Sequence, residues 1–113
     1  MHKIARPISD DLLEFIAGQF KVLAVPMRLR ILHALQSGER TVTEIIASAG
    51  ASQANVSKHL SVLTAAAMVG RRKEGLNVHY SITNPVIFEL CDLVCNRMRG
   101  KLKVAKRHST RDA

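Results

Sequence analysis

Four helices, a two-stranded hairpin and a fifth helix make up the fold class that this sequence predicts, a mainly α domain with a small β-hairpin. Three features predict it. Apolar residues recur at helical spacing through most of the chain, two capped helices flank a short turn containing Gly50, and one stretch beside Gly75 alternates apolar and polar residues.

From Asp10 to Ala24, Leu12, Leu13, Phe15, Ile16, Phe20 and Leu23 give a first helix one buried face, with Asp10 as its cap. Pro26 opens a second helix, dense in Met27, Leu29, Ile31, Leu32 and Leu35, that Gly38 stops; His33 is expected in or beside the core. Thr41-Val42-Thr43-Glu44 has the spacing of a capping box, in which a hydroxyl and a carboxylate each satisfy a free backbone N–H, and a third helix follows to about Ala49. Gly50 supplies a left-handed stop, and Ser52 caps a fourth helix to about Ala67 with Val56, Leu60 and Leu63 inside. The segment from Met68 to Ile82 reads as a hairpin turning near Gly75. Pro85 then opens a last helix whose Val86, Ile87, Leu90, Leu93 and Val94 are more apolar than a lone surface helix requires. This divides the chain into an arm over residues 1–9, one domain over 10–100 and a basic tail over 101–113, expected without fixed structure.

The chain of 113 residues carries 17 Lys and Arg against 9 acidic residues, a net charge of +8, which favours a polyanionic partner. No window approaches the roughly 20 apolar residues of a membrane span, so no membrane partner is expected. Met1 to Arg6 meets Ser9-Asp10-Asp11 before any apolar leader forms, and the expected location is the cytoplasm. A catalytic reading finds only Glu89, Cys91 and Asp92 close together and no phosphate-binding glycine loop, so the chain is read as no enzyme.

A helix that enters the major groove needs small and polar side chains over its first turns and an apolar inner face. Ser52, Gln53, Asn55, Ser57, Lys58 and His59 meet that need: amides pair with adenine edges, hydroxyls serve bases or phosphates, and Lys58 and His59 hold the backbone. The bland alternative is the wet face of an amphipathic helix. Arg71, Arg72 and Lys73 beside the hairpin turn add charge suited to phosphate or minor-groove contact, against the alternative of an edge strand guarded from aggregation. The order of elements, helix-turn-helix followed by a basic hairpin, is that of a winged helix-turn-helix that grips double-stranded DNA.

Two stretches carry a resemblance to the ArsR/SmtB family of bacterial winged-helix repressors. Leu23 to Leu32 is similar to its L-x-x-P-x-R-L-x-I-L core helix, and Ser52 to Leu63 to its S-Q-x-x-V-S-x-H-L-x-x-L recognition helix. Arg71 to Gly75 with Val78 to Ile82 resembles its wing. The resemblance implies a homodimer joined through the first and last helices, repression at an inverted-repeat operator, and release when an inducer binds or oxidises the protein. The family's D-x-H and H-x-x-H ligands on the last helix are missing around Asn84-Pro85-Val86 and Asn96-Arg97-Met98, as is its C-x-C motif around Thr43-Glu44-Ile45-Ile46. What remains is Cys91 and Cys95, whose i, i+4 spacing puts both thiols on one helix face, where they could bind a thiophilic metal or metalloid ion, react with an oxidant or sulfur donor, or simply fill an interface. A helix-turn-helix module that recognises protein, or an architectural DNA binder without an inducer, is the alternative function.

Overall fold

The computed structural model describes residues 6–112. Among them the elements run α1 (Asp10–Leu23), α2 (Pro26–Leu35), β1 (Arg40–Thr41), α3 (Val42–Ala49), α4 (Gln53–Ala65), β2 (Val69–Glu74), β3 (Asn77–Ile82) and α5 (Pro85–Asp112). The expected order of helices and hairpin is present, with β1 as an addition.

Most helix ends follow local chemistry. The extended Ser9, not Asp10, caps α1: its hydroxyl accepts from the Leu12 N–H at 3.1 Å, and Asp10 lies one step inside the helix, where its charge faces the positive end of the dipole. Thr41 and Glu44 form the expected reciprocal box at 3.3 and 2.8 Å, and Gly50, at φ +68°, donates to the Ile46 carbonyl. The α4 helix stops at Ala65, short of expectation, because Ala67 turns left-handed at φ +58°. Its N–H bonds to Thr64 O while Met68 N–H reaches Leu63 O, a Schellman closure built on alanine, and the fully buried Leu63 and Met68 offset the strain.

The core is a layer of helices against one sheet face. Ile31 and Leu32 of α2, Ile45 of α3, and Val56, Leu60 and Leu63 of α4 are sealed from water, and each stabilises the fold by about 2 kcal/mol. His33 does not join them; it is exposed, 3.3 Å from the Gln36 side-chain oxygen. The sheet order is β1-β3-β2, all antiparallel. Gly70 keeps β2 close to the strand exit, since a Cβ there would lie 2.6 Å from Thr83 Cγ2.

Two helices are poorly covered. Leu12, Leu13, Phe15 and Phe20 of α1 are exposed, as are Val86, Leu93, Val94 and Met98 of α5. The tail also departs from expectation. Residues 101–112 continue α5 as helix, because Lys, Leu, Ala and Arg are strong helix formers and no proline follows Pro85. Residues 1–5 of the expected arm, and Ala113, lie outside the described residues.

Candidate nucleic-acid interface

The α4 helix separates its residues into two faces. Gln53, Ser57 and Ser61 recur every fourth position and are exposed, with Ala54 and Lys58 beside them, whereas Val56, His59, Leu60 and Leu63 are buried. Ser52 closes the N-terminus by accepting from the Asn55 N–H at 3.2 Å, so its hydroxyl positions the helix while its O–H remains available. Asn55 is half-buried at the edge of the stripe.

His59 belongs to the inner face. Although it is read from the sequence as a backbone-gripping side chain, it is 9% exposed and its Nδ1 accepts from Arg28 Nε at 3.2 Å. The same guanidinium donates to Val22 O, so Arg28 ties the end of α1 to α4. Burial first, then the positive charges of Arg28 and Lys58, hold the imidazole below its ordinary value of 6.5. The proton therefore sits on Nε2 of a neutral ring.

A pH dependence follows from that ring. Below pH 6.5 the unfolded chain takes up a proton on His59 that the folded chain refuses, so this residue makes stability fall as pH drops from 6.5 toward the lower folded value. His59→Gln keeps an acceptor for Arg28 and removes the titration. Urea unfolding at pH 7.5 and 5.5 should show a smaller loss for the variant than for the wild type; equal losses would assign the dependence to another group.

Strand register divides the basic hairpin as well. Arg71 opposes Tyr80 and Lys73 opposes Val78, on the face whose Tyr80 and Ile82 pack onto the helical core. Arg72 opposes His79 on the other face. Arg71 and Lys73 form no ion pair among the described residues. Arg72 is bound, Nε and Nη2 to the two Glu39 oxygens at 3.1 and 2.7 Å and Nη1 to Glu74 at 2.7 Å. These hydrogen bonds lower the pKa of both carboxyl groups and raise that of the guanidinium. The three basic residues expected to act together are thus two free cations and one neutralised one. Glu39 and Arg28, which do the tying, escaped the sequence reading because their partners lie 33 and 31 positions away.

On α5, Cys91 is buried and Cys95 half-buried, both as free thiols. They line one cavity of about 420 Å³ whose other walls include Phe20, Leu23, Leu29 and Val94. Burial, then the neighbouring Cys95, pushes the Cys91 thiol up. Among the described residues no cluster of three or more His, Cys, Asp or Glu could hold a metal ion, and no helix is long and apolar enough to cross a membrane.

Known proteins share this arrangement. Residues 26–69, from the start of α2 through α4 into β2, match the family described as bacterial regulatory protein, arsR family. A probable mercury resistance operon repressor of Streptomyces lividans is 41% identical over 71 residues, 63% of this chain and 57% of that protein. An uncharacterised HTH-type transcriptional regulator of Mycobacterium tuberculosis H37Rv, Rv0081, is 41% identical over 83 residues, 73% of each chain. The Rv0081 crystal structure superposes with a TM-score of 0.69 at 35% identity, covering 93% of this chain and 100% of that one. The solution structure of Mb0332 from Mycobacterium bovis, described as a homodimeric winged helix-turn-helix DNA-binding domain, gives a TM-score of 0.75 at 32% identity, covering 85% and 92%. With the matched segment falling on the core helix, the turn and the polar-faced α4, the chain belongs to the ArsR family of bacterial regulators, and it is a winged helix-turn-helix DNA-binding transcriptional regulator.

Proposed function

We propose that the protein is a homodimeric repressor that sets two α4 helices into successive major grooves of an inverted-repeat operator and leaves it when a thiophilic ion reaches Cys91 and Cys95. The observation that carries the DNA reading is the stripe of Gln53, Ser57, Lys58 and Ser61 on α4 together with two unpaired cations, Arg71 and Lys73, on the hairpin face that packs toward the helices. In this reading Gln53 and Asn55 read bases, Ser52 and Ser57 serve bases or sugar-phosphate, and Lys58, Arg71 and Lys73 neutralise phosphates. The uncovered apolar sides of α1 and α5 supply the face for a second copy, in keeping with the homodimeric M. bovis relative. A DNA target places this work in the cytoplasm.

The thiols suit an ion that accepts few protein ligands. Two sulfurs in an apolar cavity fit linear thiolate coordination better than the four-ligand geometry that zinc takes. The mercury-resistance relative points the same way.

Selection of bound sites from random duplex DNA, repeated with candidate ions, tests the reading as a whole. On the selected operator, Gln53→Ala or Asn55→Ala is expected to lose about 1–3 kcal/mol, with a smaller loss on unrelated duplex. Equal losses on both duplexes would remove base reading from α4.

A further inference from the structure

The ion pair of Arg72 lies on the sheet face turned away from α4, where it does not serve the DNA-facing stripe. Its main partner is well anchored. Glu39 stands on the connector between α2 and α3, which Arg40 fixes by donating from Nε to the Ala34 carbonyl at 2.9 Å and from Nη2 to the Ser37 hydroxyl at 2.7 Å. Beyond Glu39, Thr41 is held in its capping box. The outer half of the hairpin lacks such support. Residues 71–77 are all exposed, and a two-stranded ribbon twists readily about its base.

A guanidinium whose Nε and Nη2 meet both oxygens of one carboxylate fixes direction as well as distance. His79 Nδ1, 3.9 Å from Glu39 Oε1, closes the same cluster from β3. We infer that Glu39 and Arg72 are positioning residues for DNA binding, a strut between the end of α2 and the wing that sets the wing's angle, while Arg71 and Lys73 bring the charge to phosphate. The inference rests on the reading that α4 and the hairpin bind duplex DNA. It assigns opposite roles to adjacent arginines that composition treats alike.

The pair is solvent-exposed, with side chains 49% and 36% accessible, so its loss costs the fold little and the variants stay folded. Operator affinity is measured across a salt series for the full chain. Arg71→Ala and Lys73→Ala are each expected to lower the log–log salt slope by about 0.9, one phosphate contact apiece. Arg72→Ala weakens the operator and unrelated duplex alike, about fivefold, the scale of a networked surface pair, and lowers the slope by less than Arg71→Ala does, because the misplaced wing keeps both cations. Glu39→Ala weakens operator binding to the same degree even though it adds positive charge. Glu39→Ala combined with Arg72→Ala weakens binding no further than either alone, because both remove the same pair.

A purely electrostatic wing gives the reverse pattern. The strut is overturned if Arg72→Ala lowers the slope as Arg71→Ala does, if Glu39→Ala tightens binding, or if the two single losses multiply in the double variant. Failure of the DNA reading itself shows differently: Arg71→Ala and Lys73→Ala then leave the slope unchanged too.

Discussion

Phe15→Glu combined with Leu93→Glu is expected to turn the protein into a folded monomer whose operator affinity is lower by roughly 10²–10⁴. Both side chains are more than half exposed, Phe15 at 64% and Leu93 at 52%, so neither contributes much to the core and the variant keeps its secondary structure. What they line is apolar. A groove of about 300 Å³ between α1 and α5 is walled by Phe15, Ile16, Phe20, Val86 and Leu90, and the exposed Leu12, Leu13, Val94 and Met98 enlarge the patch well beyond scattered surface leucines. Two carboxylates placed in that apolar patch would have to be desolvated in a dimer and so oppose association. A dimer holding one half-site brings its second α4 to the other at high effective concentration, and a monomer loses that gain. Sedimentation velocity and binding to whole and half operators measure both effects. A variant that still sediments as a dimer and binds as the wild type would move the interface elsewhere.

That patch also shows what the sequence makes legible. Helix faces, caps and the turn follow from local chemistry within four residues, so Thr41, Gly50, Ser52, Gly75 and Pro85 were readable one at a time. Errors arise where the deciding partner is distant or local preference is overridden. The two-residue β1 has no periodicity of its own and exists through pairing with Tyr80 and His79. Ala67 carries no glycine signal for its left-handed turn, which depends on sealing Leu63 and Met68. His59 stands among polar residues in sequence, yet the helical period of α4 sends it inward to Arg28. Arg72 stands in a basic run, and only the alternation of β2 together with Glu39 separates it from Arg71 and Lys73.

The same dependence on distant partners governs the thiols. Mercuric chloride is expected to release the wild-type protein from its operator, lowering affinity about 5–150-fold, the usual range of coupling between two sites. The Cys91→Ala/Cys95→Ala double variant should bind the operator as the wild type does and stay bound when the salt is added. Alanine is the better choice at position 91, because Cys91 is 5% exposed among apolar neighbours and alanine brings no polar group among them. The physical link runs through the cavity: Leu29 of α2, Phe20 and Leu23 of α1 and the two thiols of α5 share its wall, so drawing the sulfurs toward one ion repacks three helices at the patch assigned to the dimer. Titration of free thiols gives a readout independent of DNA. Mercuric ion should mask both thiols of the wild type at one equivalent, and either single variant should bind it more weakly. Peroxide at the same concentration should leave the thiols titratable for longer, since mercuric ion binds sulfur strongly enough to displace the proton while peroxide reacts only with the scarce thiolate. Release that persists in the double variant would place the sensor on other residues, and faster loss of thiols to peroxide than to mercury would make the response an oxidation.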